Sequence, residues 1–146
     1  MDVRVREAGV GDAEAIAPLL AQLGYPSSVQ QIRRRLMRLA STASDTVLVA
    51  EADDDVGVVV GVAVLHVSWM IHMDRPTGRL MMIVVDESSR GEGIGRALVE
   101  ECCTRAETLR CARLELTSRL GSEEAHTFYE RVGFERADKR YTKPLG

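Results

Sequence analysis

Between Ile83 and Val99 an apolar β-branched run meets a turn with glycine at alternate positions and then a helical pattern. The residues are Ile83-Val84-Val85-Asp86-Glu87-Ser88-Ser89-Arg90-Gly91-Glu92-Gly93-Ile94-Gly95-Arg96-Ala97-Leu98-Val99. Read in series they are a strand, a glycine-rich turn and a helix N-terminus, the unit of a layered α/β fold. The first N–H groups of a helix have no intrahelical partner, and the helix dipole adds positive potential there. Glycine lets the main chain adopt positive φ and approach a ligand closely. Together these features describe an anion cradle sized for a phosphate or pyrophosphate.

Three phosphate-binding patterns compete for this turn. The P-loop requires a Lys directly after its glycines, and none follows here. The dinucleotide fingerprint is G-x-G-x-x-G, whereas Gly91, Gly93 and Gly95 are spaced G-x-G-x-G and Arg96 stands where that fingerprint would end. The third pattern, [RQ]-x-x-G-x-[GA], is met by Arg90-Gly91-Glu92-Gly93-Ile94-Gly95. This segment resembles the acetyl-CoA signature of the GNAT superfamily of N-acetyltransferases. Val84-Val85-Asp86 precedes it at the superfamily's spacing. Further on, Ala125-His126-Thr127-Phe128-Tyr129-Glu130-Arg131-Val132-Gly133-Phe134 resembles its second landmark, an F-Y-x-x-x-G-F helix and turn.

With 146 residues the chain fits a single domain, residues 1–146, long enough to bury a core. A net charge of −3, from 19 basic and 22 acidic residues, argues against a nucleic-acid partner. No apolar run reaches membrane-spanning length, and residues 1–6 lack the apolar centre of a secretory leader. Cys102, Cys103 and Cys111 form no C-x-x-C, so reduced thiols and a cytoplasmic setting are expected.

The patterning predicts a strand over 2–7 and a helix capped by Asp12 that carries Ile16, Leu19, Leu20 and Leu23 to Gly24. Ser28 and Gln31 form a capping box for a second helix, whose arginines at 33, 34, 35 and 38 face solvent or attract an anionic substrate. Strands are expected over 46–52 and 58–68, joined as a hairpin through the solvated acidic turn Asp53-Asp54-Asp55. Further strands are expected over 80–85, 112–117 and 134–142, and helices over 94–109 and 122–132. The order is a mixed α/β sheet. The resemblance makes it GNAT-like: a mostly antiparallel central sheet with splayed central strands, flanked by four helices.

The resemblance also implies the chemistry. Acetyl-CoA is the co-substrate. Backbone groups of Ile83, Val84 and Val85 hold pantetheine and polarise the acetyl carbonyl. Gly91, Glu92, Gly93, Ile94, Gly95 and Arg96 wrap the pyrophosphate, with Arg90 or Arg96 adding charge or remaining solvated. Tyr129 matches the tyrosine that many GNAT enzymes use as general acid toward sulfur; otherwise it is a core aromatic beside Phe128. Glu115, inside Leu114-Glu115-Leu116, points away from both leucines. It is a candidate base, acting directly or through water, or else a salt-bridged strand residue. Many relatives carry a carboxylate where this chain has Met81-Met82. His66 and His72 can share a strand face as bases, substrate contacts or ordinary polar residues, and no metal is expected.

The central and C-terminal parts are similar to small-molecule members, notably the aminoalkylphosphonate N-acetyltransferase group. Ser122 stands where that group has an Arg. The expected activity is acetyl transfer to the primary amine of a small molecule by direct attack. Protein N-terminal or lysine acetylation is the alternative within the class, and a non-catalytic CoA-binding regulatory module the alternative outside it. The resemblance further implies a homodimer, and no nucleic-acid or membrane partner is expected.

Overall fold

A computed structural model of the chain describes residues 2–52, 57–117, 123–137 and 141–146. Five strands form one sheet in the order β1 (Val3–Glu7), β2 (Asp45–Ala52), β3 (Val59–Ser68), β4 (Thr77–Val85), β5 (Leu114–Leu116). Neighbours from β1 to β4 pair antiparallel, and β5 joins β4 in parallel. Helices α1 (Ala13–Leu23) and α2 (Val29–Ala40) lie between β1 and β2, α3 (Ile94–Thr108) follows β4, and α4 (Glu123–Arg131) follows β5.

The period-two alternation of each strand divides its side chains between two cores. Leu48, Ala50, Ala63, Leu65 and Leu80 pack with Ile94, Leu98, Val99 and Cys102 of α3, and Phe128 and Val132 join them. Val49, Val62 and Val84 face the other way, against Ala13, Ile16 and Leu19 of α1 and Ile32 and Leu36 of α2. Each fully buried Leu or Ile contributes about 1.5–3 kcal/mol. Gly61 is required where β3 meets α3: a Cβ there would lie 3.0 Å from Leu98 and 3.2 Å from Ile94.

The capping box forms as the sequence predicts, Ser28 Oγ accepting from Gln31 N–H at 3.1 Å and Gln31 Oε1 accepting from Ser28 N–H at 2.9 Å. α1 stops at Gly24 in the left-handed conformation. Asp12 precedes α1 but does not cap it. Its carboxylate accepts instead from Gly9 N–H at 2.7 Å and from the Arg6 guanidinium at 2.8 and 3.0 Å. A competing cation and the short 3₁₀ turn Val10–Asp12 outbid the helix for that side chain.

The expected last strand is corrected. Residues 134–137, Tyr141 and Thr142 carry no strand, and 138–140 lie outside the described residues. The acidic turn 53–55 and Ser122 also lie outside them. His66 sits in β3 but His72 lies in the turn beyond it, so the two histidines share no strand face. Among the described residues no helix is long and apolar enough to cross a membrane.

Glu51 is a buried carboxylate on β2. It accepts from Arg4 at 2.7 Å, from Arg6 at 3.2 Å and from Gly57 N–H at 3.0 Å. The Arg4 bond, then the Arg6 bond, hold its pKa down to about 2 from the ordinary 4.5. A carboxylate depressed on folding stabilises the native state above its unfolded pKa, and that stability is lost as pH falls toward the folded value. The melting temperature of the protein is therefore expected to drop as pH is lowered from about 5 toward 2. In Glu51→Gln the melting temperature is lower at neutral pH and its acid slope shallower. An unchanged acid slope would contradict the assignment.

Candidate functional site

The strand before the glycines has an open edge. β5 pairs with β4 at Gly78, Arg79 and Leu80, and the pairing ends there. On the other side of β4, Leu80 faces Leu65 and Met82 faces Val64, so Met81 is an extra residue with no partner on β3. A β-bulge of this kind bends its strand and increases the local twist. The bend begins where β5 stops following, and among the described residues no strand pairs with that edge of β4 from Met81 to Val85. Asp86 N–H donates to Val60 O at 2.8 Å. Backbone direction alternates along a strand, so Val84 and Met82 also face β3, while the N–H and C=O groups of Ile83 and Val85 face the open edge. This separation of β4 from β5 is the splay that the sequence resemblance implied.

The turn that follows opens on a short 3₁₀ turn, Glu87–Ser89, closed by Ser89 N–H donating to Asp86 O at 2.9 Å. Gly91 and Gly93 have φ of +82° and +85°, and a Cβ at either would meet no atom within 4 Å. Gly93 occupies the N-cap position of α3 with no side chain capping it. The first bond of the helix runs from Ala97 N–H to Gly93 O at 3.0 Å. Among the described residues no acceptor in the protein takes the N–H groups from Gly91 to Arg96. Arg90 folds back, its Nε donating to Val85 O at 3.4 Å. Glu92 and Arg96 are exposed, and Ile94 is buried under the turn as a core residue. The residues present therefore fit a pyrophosphate: unpaired donors, open space and a helix N-terminus converge on one place.

Gln22 of α1 fixes the start of the turn. Its Nε2 donates to Asp86 Oδ1 at 2.8 Å, and its Oε1 accepts from Glu87 N–H at 2.9 Å. Ser88 Oγ and then Gln22 hold the Asp86 carboxyl below its ordinary pKa. The sequence carries no motif for this bridge, which joins residues far apart in the chain.

Gly95 serves a different end from its neighbours. A Cβ there would lie 3.0 Å from the Phe128 ring, so glycine lets α4 rest on the first turn of α3. Tyr129 follows, in edge-on contact with Phe128 and Phe134 at centroid separations of 5.5 and 6.0 Å. The ring is half-buried, and burial raises its pKa. Among the described residues its hydroxyl has no hydrogen-bond partner. A protonated phenol with a free O–H thus stands on the helix that touches the turn.

Glu115 lies on the α1–α2 face, opposite Leu114 and Leu116, which pack toward α3. Its carboxylate is held by Arg113 at 2.6 Å and Arg79 at 3.5 Å. Arg79 also donates to Thr117 Oγ1. Asp45, His66, Arg79 and Glu115 pair in succession across β2, β3, β4 and β5, making one ionisable row. His66 Nδ1 is 2.8 Å from Asp45 Oδ1, the ordinary hydrogen-bonded state. Cys102 is buried, and desolvation pushes its thiol up to about 12, far from a nucleophile's range. Trp69 is exposed and fills no core.

Beside this row a cavity of about 490 Å³ opens between α1, α2 and the sheet. Leu20 and Leu23 of α1, Ile32 and Leu39 of α2, and Met81 and Met82 of β4 are in its wall, together with Tyr25 and Arg35. The bulge explains the two methionines: consecutive residues of a regular strand would point to opposite faces.

A family model described as acetyltransferase (GNAT) family matches residues 18–134, which include the strand, the turn and the Phe128-Tyr129 helix. The chain belongs to the GNAT acetyltransferase family. It is 32% identical over 89 residues to the aminoalkylphosphonate N-acetyltransferase of Salmonella typhimurium, covering 61% of this chain and 58% of that protein. To the glucosamine 6-phosphate N-acetyltransferase of Trypanosoma brucei brucei it is 39% identical over 66 residues, covering 45% and 42%. The chain thus spans about half the length of the curated relatives it matches. A solved structure from Bacillus halodurans, described as a transcriptional regulator, superposes with a TM-score of 0.87 at 21% identity over 99% of this chain and 100% of the other. That likeness shows that the two chains share a fold.

The Gly95–Phe128 contact yields a prediction. Gly95→Ala drives a methyl group into the ring and is expected to cost about 1–3 kcal/mol of stability, read by urea denaturation. In a Phe128→Ala background the same change costs less, because the clash is gone. Equal losses in both backgrounds would refute the contact.

Proposed function

We propose that this GNAT protein is an acetyl-CoA-dependent N-acetyltransferase that moves an acetyl group to the primary amine of a small molecule by direct attack. The observation that carries the proposal is the run of N–H groups from Gly91 to Arg96 that find no acceptor among the described residues, at the end of the strand whose Ile83 and Val85 turn away from β3. In this reading the turn takes the pyrophosphate of acetyl-CoA, Arg96 and Arg90 add positive charge, and β4 takes the pantetheine amides by strand-like hydrogen bonds. A backbone N–H at the open edge polarises the acetyl carbonyl. The curated relatives support a small-molecule acceptor, since both are described as acting on small phosphorus-bearing amines.

The step balances as follows. The ammonium gives up a proton to Glu115, through water. The amine lone pair then forms the N–C bond and the C–S bond breaks. Tyr129 donates its phenolic proton to the departing thiolate, and the new amide nitrogen loses its second proton to solvent, which also restores Tyr129. Burial raises the Tyr129 pKa, so the phenol keeps its proton at neutral pH and can hydrogen-bond to the thiolate as the bond breaks. Arg79 and Arg113 determine where the Glu115 carboxylate lies, so a bridging water completes its reach.

The testing experiment is amine-dependent thiol release from acetyl-CoA. Tyr129→Phe is expected to lower kcat by about 100-fold while leaving acetyl-CoA affinity unchanged. Glu115→Gln is expected to lower kcat about tenfold or more, with its loss relieved as pH rises and free amine accumulates. Gly93→Ala, at a position of positive φ, is expected to cost about 1 kcal/mol of stability and far more in acetyl-CoA affinity. Acetyl-CoA binding with no turnover of any amine or peptide, and a silent Tyr129→Phe, would establish the regulatory-module reading. Turnover of peptides over free amines would establish protein acetylation.

The free thiols Cys102, Cys103 and Cys111 support a reducing, cytoplasmic setting. The homodimer belongs to this reading by family resemblance and is tested by sedimentation velocity.

A further inference from the structure

The cavity under α2 differs in chemistry from the sheet row next to it. Its wall is hydrocarbon from α1, α2 and the paired methionines, with no carboxylate in it. A sugar ring placed there would lose water from its hydroxyl groups and find few partners, a cost that a hydrocarbon body avoids. Such a wall selects an apolar acceptor body.

The rim has the opposite character. α2, Val-Gln-Gln-Ile-Arg-Arg-Arg-Leu-Met-Arg-Leu-Ala, carries four arginines and no acidic residue. Arg33 is 3.6 Å from Glu14. Arg35 is the arginine that reaches the cavity wall, and its Nη1 donates to Ser27 Oγ at 2.8 Å. That bond orients the guanidinium and leaves its other donors open, and among the described residues Arg35 has no ion pair. A planar fork of donors held at a cavity mouth matches a carboxylate, phosphate or phosphonate. The surrounding arginines raise the local concentration of anions.

We infer that the acceptor is an amine with an apolar body and one anionic group, its hydrocarbon in the cavity under α2 and its anion on Arg35. The inference rests on the acetyltransferase reading for the fate of the amine, but the binding it describes stands apart from turnover. An anion at Arg35 anchors one end of the molecule. The apolar body then lies along Met81 and Met82, and the amine meets the open edge of β4 beside them.

The test uses the full chain and four probes: 4-(2-aminoethyl)phenylphosphonate, 2-phenylethylamine, aminomethylphosphonate and glucosamine 6-phosphate. They carry respectively both features, the apolar body alone, the anion alone, and an anion on a hydroxylated body. Rates of thiol release are measured with acetyl-CoA, and binding to the CoA-loaded protein by calorimetry. The first probe is expected to exceed each of the others by about tenfold or more in kcat/KM and in affinity. Arg35→Ala is expected to remove about tenfold of that advantage through KM, leave 2-phenylethylamine unchanged, and flatten the salt dependence. Equal or better performance by glucosamine 6-phosphate or aminomethylphosphonate would overturn the inference, as would an Arg35→Ala effect that is the same for charged and uncharged amines. If no probe turns over, the small-molecule acceptor reading fails, and the binding order with its Arg35 dependence still decides the inference.

Discussion

Over the stretch where they pair, Thr77–Val85 of β4 against Gly61–Ser68 of β3, β4 contains one residue more, and the site is organised around that residue. Met81 has no counterpart on β3. A strand with an extra residue cannot stay in register with both neighbours along its whole length, because the bulge bends it and adds twist. β3 keeps its pairing by shifting register. β5, only Leu114–Leu116, pairs up to Leu80 and goes no further. The edge that opens turns the N–H groups of Ile83 and Val85 away from β3, and Val85 O accepts from Arg90. The same residue places Met81 and Met82 on one face, where they become part of the cavity wall.

The two faces of the sheet then take separate roles. On the α3 side, Gly95 lets Phe128 settle on the first turn of the helix, and Tyr129 comes with it. On the α1 side lie the cavity and the charged row ending at Glu115. Gln22 connects them: one amide side chain on α1 holds both Asp86 and the Glu87 N–H at the entrance of the turn. The helix that walls the cavity is thereby tied to the loop that forms the cradle. In the proposed reaction that tie keeps acceptor and acetyl donor in one frame, which is where orientation contributes most to rate.

Much of this is written locally in the chain. The turn, its glycines, α3, the capping box of α2 and the Phe128–Tyr129 helix are all set by neighbours in sequence, and all appear where patterning puts them. What patterning missed is non-local. Leu80-Met81-Met82-Ile83-Val84-Val85 is apolar throughout, so an extra residue leaves no break in its periodicity. The arginines on Glu115 come from β4 and the start of β5, and no spacing rule connects residue 79 to residue 115. Gly95 looks like a third ligand glycine until the Phe128 ring is seen above it. Asp12 has the residue type and position of a helix cap, yet Arg6 takes its carboxylate. The strand expected over 134–142 is absent from residues 134–137, Tyr141 and Thr142.

The central claim is that two sets of main-chain N–H groups without partners among the described residues, those of Ile83 and Val85 on β4 and those from Gly91 to Arg96, bind acetyl-CoA. Residue-resolved amide hydrogen exchange with and without acetyl-CoA tests it directly. Slowed exchange on binding is expected at the open-edge N–H groups of Ile83 and Val85 and at those from Gly91 to Arg96, with the N–H of Val84, already paired to β3, unchanged. Protection elsewhere on the protein, or none at saturating acetyl-CoA, would contradict it.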